Sequence, residues 1–239
     1  MIALIDIGNS RTKFCIVNKG SRGPIKSFTN ELLSSDYLNG FFNKVDKLIV
    51  ASVSCNELTD KIELWCDKHN KSYLKVVSEK RRNDVVSAYH QPSQLGVDRW
   101  LTLIAANSLY PSKNILIIDA GTATTIDVLA ANGEHQGGWI LAGINMLFSS
   151  VLDNTSQVKV NEVSDACLSF GASSSENVNN ATWAATIGAI NLAVSQSEQQ
   201  GVIIDEILLT GGNGSALARL LLQQCTLIED LVFVGLQVY

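Results

Sequence analysis

Two short segments of this 239-residue chain carry a carboxylate, a glycine and hydroxyl donors immediately after an aliphatic strand. The first is Asp6-Ile7-Gly8-Asn9-Ser10-Arg11-Thr12-Lys13, led in by Met1 to Ile5; the second is Asp119-Ala-Gly121-Thr122-Ala-Thr124-Thr125, led in by Ile115 to Ile118. In each, the glycine permits a tight turn whose successive N–H groups can face phosphate oxygens. Asn9, Ser10 and Thr122 add neutral donors, and Lys13 or Arg11 can add positive charge. A carboxylate repels phosphate, so Asp6 makes sense where it holds a magnesium ion bridging the phosphates, directly or through water. Asp119 is a second possible metal ligand. An ordinary polar hairpin is the other reading of each turn alone; the pair together points to a nucleotide. Asp127 alternates within a strand, where a structural partner for a nearby donor is as good a reading as catalysis.

A third segment, Thr210-Gly211-Gly212-Asn213-Gly214, lies between an aliphatic strand and a helix, where glycines allow close backbone approach to an anionic ligand. It matches neither the P-loop nor the G-x-G-x-x-G spacing. The fourth is Gly96-Val97-Asp98-Arg99-Trp100 at a helix start. Helix capping is one reading of Asp98. The other is a group that orients an acceptor hydroxyl and accepts its proton late in a loose phosphoryl transfer. Arg99 suits a carboxylate on the acceptor, and Tyr89 offers a further hydroxyl.

These segments need a scaffold of alternating strands and helices. Strands are expected at Phe14–Val17, Val45–Val53, Ser72–Val77, Thr125–Leu129 and Ile203–Leu209. Helices are expected at Glu57–His69, Val97–Tyr110, Ala181–Val194 and Ser215–Gln223, with loops at Gly20–Pro24 and Gly171–Ser175. The repeated strand–turn–strand predicts two similar α/β halves facing across a cleft, divided as 1–113 and 114–239.

Bulk composition narrows the function. With 18 basic and 23 acidic residues the net charge is -5, which argues against nucleic acid as a partner. Five scattered cysteines with no C-x-x-C pair fit reduced thiols better than a disulfide framework or a zinc site. No apolar run reaches the ~20 residues of a membrane helix and no signal peptide is evident, so a soluble cytoplasmic protein is expected.

Taken in order, Asp6-Ile-Gly8-Asn9-Ser10-x-x-Lys13, Gly96-Val-Asp98-Arg99, Asp119-Ala-Gly121-Thr122-Ala-x-Thr125-x-Asp127, Gly137-Gly138-x-Ile140-x-x-Gly143 and Thr210-Gly211-Gly212 resemble the type III pantothenate kinases of the actin-like (ribonuclease H-like) and sugar-kinase superfamily. The resemblance spans nearly the whole chain. It implies ATP-dependent phosphorylation of pantothenate, the first step of coenzyme A biosynthesis. It also implies Asp98 as proton acceptor, with Tyr89 and Gly96 to Arg99 holding pantothenate, and Asp6 to Lys13 with Thr122 contacting ATP. Asp119 would bind a monovalent cation, potassium or ammonium. A homodimer is implied, with Thr182 the residue that reaches the partner's pantothenate pocket. Departures from the family pattern are Ala142, where proline is usual, and Ser10, where threonine is common. The competing functional readings are a kinase for another small hydroxylated acceptor and a non-catalytic transcriptional accessory factor.

Overall fold

The computed structural model describes residues 1–155 and 165–239. Two compact units emerge, and neither is one continuous stretch. The first comprises residues 1–80, 89–105 and 231–239; the second comprises 81–88 and 106–230. Against the expected cut between 113 and 114, the chain's last helix, Leu231–Leu236, belongs with the first unit.

In the first unit a hairpin of β1 (Ile2–Ile7) and β2 (Arg11–Asn18) is extended by β3 (Ser21–Arg22) and β4 (Lys26–Thr29), both paired with β2. The segment expected as a loop at Gly20–Pro24 thus contains a short strand. On the other side β1 pairs in parallel with β5 (Lys47–Ser52), reached through α1 (Ser35–Phe42), and β5 with β6 (Ser72–Lys75), reached through α2 (Asn56–Lys68). A central strand covered on both faces reads as an unbroken apolar run, which is why Ala3, Leu4, Ile5 and Ile7 are all buried. One face of the sheet packs Phe14, Phe28, Leu38, Phe42, Ile62 and Trp65. The opposite face packs Leu4, Ile49 and Val97 against Leu101, Phe233 and Leu236. Leu101 belongs to α3 (Val97–Leu109), and the last helix lies so close to it that a side chain at Gly235 would strike the Leu101 carbonyl.

The second unit repeats the plan. After the small hairpin of β7 (Arg81–Arg82) and β8 (Val85–Val86), β9 (Ile115–Ala120) and β10 (Ala123–Leu129) form an antiparallel hairpin, flanked by β11 (His135–Ala142). Two helices follow, α4 (Ile144–Asp153) and α5 (Ser174–Gln199). Then β12 (Glu206–Thr210) pairs in parallel with β9, and past α6 (Gly214–Leu220), β13 (Thr226–Leu227) pairs in parallel with β12. The sheet order β11-β10-β9-β12-β13 therefore mirrors the β2-β1-β5-β6 run of the first unit. The internal echo of the two Asp-x-Gly segments is a topological repeat.

Helix α5 starts seven residues before the expected Ala181. Ser173 caps it by accepting from the Glu176 N–H at 3.2 Å, and Glu176 reaches back to the Ala172 N–H at 2.7 Å. That reciprocal cap offsets the low helix propensity of the polar opening turns. Among the described residues no helix is long and apolar enough to cross a membrane.

Candidate active site

The candidate residues fall into a group in each unit. In the first, Gly8 closes the β1–β2 turn by donating its N–H to the Arg11 carbonyl at 3.0 Å. Asp6 and Lys13 are direct cross-strand partners, so a carboxylate and an ammonium stand side by side on the sheet, half-buried and exposed respectively. Asn9 and Ser10 occupy the exposed tip. Arg11 donates from Nε to Ser27 Oγ at 2.8 Å. That engagement leaves Lys13 the better placed cation of the pair. Ile7 and Thr12 face the opposite way and are buried, so only their backbones are available to a ligand.

The Gly96–Arg99 segment forms the first turn of α3. The Trp100 N–H donates to the Gly96 carbonyl at 3.0 Å. Asp98 lies inside this turn rather than before it, and its Oδ1 accepts from the neighbouring Arg99 N–H at 2.7 Å. Gly96 is the residue that lets the carboxylate sit there, because a Cβ on it would lie 2.5 Å from Asp98 Oδ1. Arg99 is buried, and its guanidinium donates to the Tyr89 hydroxyl at 2.9 Å while lying 5.8 Å from the centre of the Tyr89 ring. Tyr89 and Arg99 thus fix each other's aim. The Val97 side chain packs into the core beside Leu4 and Leu101.

In the second unit three of the sequence signals converge. Asp119 and Thr210 are neighbours on parallel strands, and the Asn213 N–H donates to the Ala120 carbonyl at 3.0 Å. Gly211 has φ +84°, and a Cβ on it would collide with Asp119 Oδ1 and the Ala120 backbone. The Thr210-Gly211-Gly212 turn is therefore glycine-built because the Asp119 carboxylate occupies the space a side chain would need. Gly143, between β11 and α4, makes room in the same way for the turn's carbonyls. Its N–H donates to the Thr122 carbonyl at 3.1 Å, and a side chain there would strike the Gly121 and Thr122 carbonyls. Ala142 keeps its strand pairing with Ala123, so the usual proline is not needed to close this loop. Thr122 is exposed.

Asp127 is buried, and His135 donates to its Oδ1 from Nε2 at 2.9 Å, an arrangement of a structural kind. Thr182 is buried within α5, where its hydroxyl donates to the Asn179 carbonyl at 2.8 Å. The residues of α5 that meet solvent beside it are Ala181, Ala184, Ala185 and Gly188. Among the described residues no group of three or more His, Cys, Asp or Glu side chains gathers as a metal cage.

Two residues that bear on the site carried no local signal. Asn30, just past β4, donates from its carboxamide to the Gly8 and Asn9 carbonyls at 2.9 and 3.2 Å. Tyr239 accepts from the buried indole of Trp100, two residues beyond Asp98, at 2.9 Å and donates to Glu79 at 3.1 Å.

Known proteins share this framework. The type III pantothenate kinase of Colwellia psychrerythraea is 49% identical over 249 residues, covering the whole of both chains. That of Pseudoalteromonas translucida is 34% identical, covering 92% of this chain and 88% of its own. A crystal structure from Campylobacter jejuni described as a Baf family transcriptional activator superposes with a TM-score of 0.63 at 20% identity, covering 98% and 95% of the chains. A crystal structure from Sinorhizobium meliloti described as a 2-dehydro-3-deoxygalactonokinase does so with a TM-score of 0.59 at 12% identity, covering 99% and 97%. These two likenesses bear on the fold, which is that of the actin-like sugar kinases. A family model for type III pantothenate kinase matches residues 2–196, and with the two curated relatives it establishes that the chain belongs to the type III pantothenate kinase family.

Proposed function

We propose that this protein transfers the terminal phosphoryl group of ATP to the 4′-hydroxyl of pantothenate, giving 4′-phosphopantothenate and ADP as the first step of coenzyme A biosynthesis. The observation that carries the reading is the first turn of α3. There a carboxylate, seated by a glycine and its neighbour's N–H, stands next to a buried arginine aimed by a tyrosine hydroxyl. Arg99 with Tyr89 suits the pantothenate carboxylate, and Asp98 suits the reacting hydroxyl.

In this reading the Asp98 carboxylate accepts a hydrogen bond from the 4′-hydroxyl and orients its oxygen toward the γ-phosphorus. As the new P–O bond forms and the bond to ADP breaks, the proton passes to Asp98. The Asp6–Lys13 turn and Thr122 supply donors to the phosphates. Gly96 and Val97 border pantothenate through their backbone.

The residues present fit the ions such a kinase uses. Magnesium keeps most of its waters and takes one or two carboxylates plus substrate phosphates. Asp6, half-buried beside Lys13, would hold it, and its charge would neutralise that developing on the phosphates. The Asp119 carboxylate and the Ala120 carbonyl lie together against the Gly211 turn, both oxygen. That set suits a hard ion of low charge, and Asp119 is the residue to hold potassium or ammonium. A homodimer fits the uncharged face of α5 made by Ala181, Ala184, Ala185 and Gly188, on which a second helix could approach closely. For Thr182 to close the partner's pantothenate pocket, its buried hydroxyl would have to leave the Asn179 carbonyl. The lack of any membrane-spanning helix among the described residues accords with a cytoplasmic site of action.

The test is ADP release by the purified protein with pantothenate, with other small hydroxylated acids and sugars, and with and without potassium. Turnover specific to pantothenate is expected, and Asp98→Asn should lower kcat roughly 10²–10⁴-fold with ATP binding retained. No turnover with any acceptor would leave the non-catalytic reading standing. Full turnover in Asp98→Asn would remove the assigned base, and indifference to potassium would remove the role of Asp119.

A further inference from the structure

We infer that Asn30 is a positioning residue for ATP: it sets the β1–β2 turn so that two consecutive backbone N–H groups, those of Asn9 and Ser10, face the phosphates. The inference rests on the reading above that this turn contacts ATP.

Asn30 lies outside the turn by 20 residues or more, yet both of its nitrogens donate to the turn's carbonyls. Its Nδ2 donates to Gly8 O at 2.9 Å and to Asn9 O at 3.2 Å. Its backbone N–H donates to Ser10 O at 3.1 Å. Its Oδ1 accepts from the buried Thr12 hydroxyl at 2.8 Å, which fixes which end of the carboxamide faces the turn. Three successive carbonyls are thereby drawn toward one residue.

In a planar trans peptide the C=O of one residue and the N–H of the next point in opposite directions. Drawing the Gly8 and Asn9 carbonyls toward Asn30 therefore turns the Asn9 and Ser10 N–H groups away from it, toward the exposed side of the turn. Two adjacent N–H groups held parallel make an anion-binding concavity. The turn's remaining inner donor, the Gly8 N–H, is taken by Arg11 O at 3.0 Å. A three-residue hairpin tip of Gly8, Asn9 and Ser10 would otherwise sample several peptide orientations. The Asn30 clamp selects one of them before ATP arrives, which is how preorganisation raises affinity. Thr12, assigned above to the core side of β2, gains a reason for its hydroxyl.

The test compares the parent with Asn30→Ala and Asn30→Asp, the latter keeping the acceptor for Thr12 while losing both side-chain donors. Both variants should bind ATP about ten- to a hundredfold more weakly, the range of one charge-assisted hydrogen bond. Competition by adenosine, which lacks phosphates, and the KM for pantothenate should stay within about twofold. A merely structural role would move all three together or move only the melting temperature. Parent-like ATP affinity in both variants overturns the inference, as does equal weakening of ATP and adenosine. Lys13→Ala separates this from the parent reading. Unchanged ATP affinity there removes the turn from the ATP site altogether. Weakened ATP binding in Lys13→Ala beside parent-like Asn30 variants removes the role of Asn30 alone. Should Asn30→Ala not fold, Asn30→Asp carries the same comparison.

Discussion

Replacing Gly96 by alanine is expected to cripple turnover while leaving the fold almost untouched. Gly96 has an ordinary backbone conformation, so alanine fits the main chain. The added Cβ, however, would lie 2.5 Å from Asp98 Oδ1 and 3.7 Å from its Cγ, against an ordinary contact of 3.4 Å or more. The carboxylate must retreat by about 0.9 Å, and in doing so it loses its 2.7 Å bond from the Arg99 N–H. A misplacement near 1 Å of a reacting group costs on the order of 10²-fold in rate. A kcat lowered ten- to a hundredfold at saturating ATP and pantothenate is therefore expected. Stability moves little, because the gain of about 0.4–1 kcal/mol from stiffening the unfolded chain offsets the lost hydrogen bond. Steady-state ADP release gives kcat, and thermal unfolding checks the fold. Asp98→Asn sets the floor, since Gly96→Ala cannot fall below an enzyme with no base. A Gly96→Ala protein with parent kcat would refute the argument that the seat of the Asp98 carboxylate matters.

Other perturbations probe the scaffold behind the site. Tyr239→Phe leaves the buried Trp100 indole N–H without its 2.9 Å acceptor, and urea unfolding should show a loss of about 1–3 kcal/mol; an unchanged midpoint would mean the bond contributes nothing. His135→Leu removes the donor 2.9 Å from the buried Asp127 carboxylate and should cost about 3–5 kcal/mol by denaturant titration. Turnover per folded molecule should survive, and its loss would make the pair catalytic rather than structural. Burial pushes the Cys66 thiol up to about 11, whereas the Ser169 hydroxyl beside Cys167 holds that thiol below its usual range. At pH 8 a mapped alkylation should label Cys167 well before Cys66. For Cys66 the folded pKa exceeds the unfolded ~8.5, so the unfolded chain releases its proton first. Stability should fall as pH rises between those two values.

Much of this was legible because the informative residues are local to one another. An aliphatic strand that ends in Asp-x-Gly admits few geometries, and both hairpins form where the sequence places them. Glycines were legible as close-approach points, though not what approached them. That Gly211 makes room for Asp119, 92 positions away, follows from the parallel pairing of β12 with β9. Asn30 and Tyr239 escaped for the same reason: each acts through hydrogen bonds to residues distant in sequence, and no periodicity marks a residue whose partners are far along the chain. The early start of α5 is a different failure. Its polar opening turns show no apolar stripe, and the signal lay in the Ser173–Glu176 cap rather than in periodicity. Thr182 illustrates the limit of placing one residue by motif order, since a single helical step separates the buried Thr182 from the exposed Ala181.

The two Asp-x-Gly turns look alike in sequence, yet they are held by opposite devices. The first is shaped by an added group: the Asn30 carboxamide draws in the turn carbonyls, and amide hydrogens are left on the outside. The second is shaped by missing groups: Gly143 and Gly211 have no side chains, so two further backbone turns press against Gly121, Thr122 and Asp119. A turn that shows N–H groups to its surroundings favours an anion, and one crowded by a carboxylate and carbonyls favours a cation. The electrostatic difference between the proposed phosphate side and the proposed cation side therefore does not reside in the repeated motif. It comes from what each unit packs against it, which is how two copies of one hairpin can be turned to ligands of opposite charge.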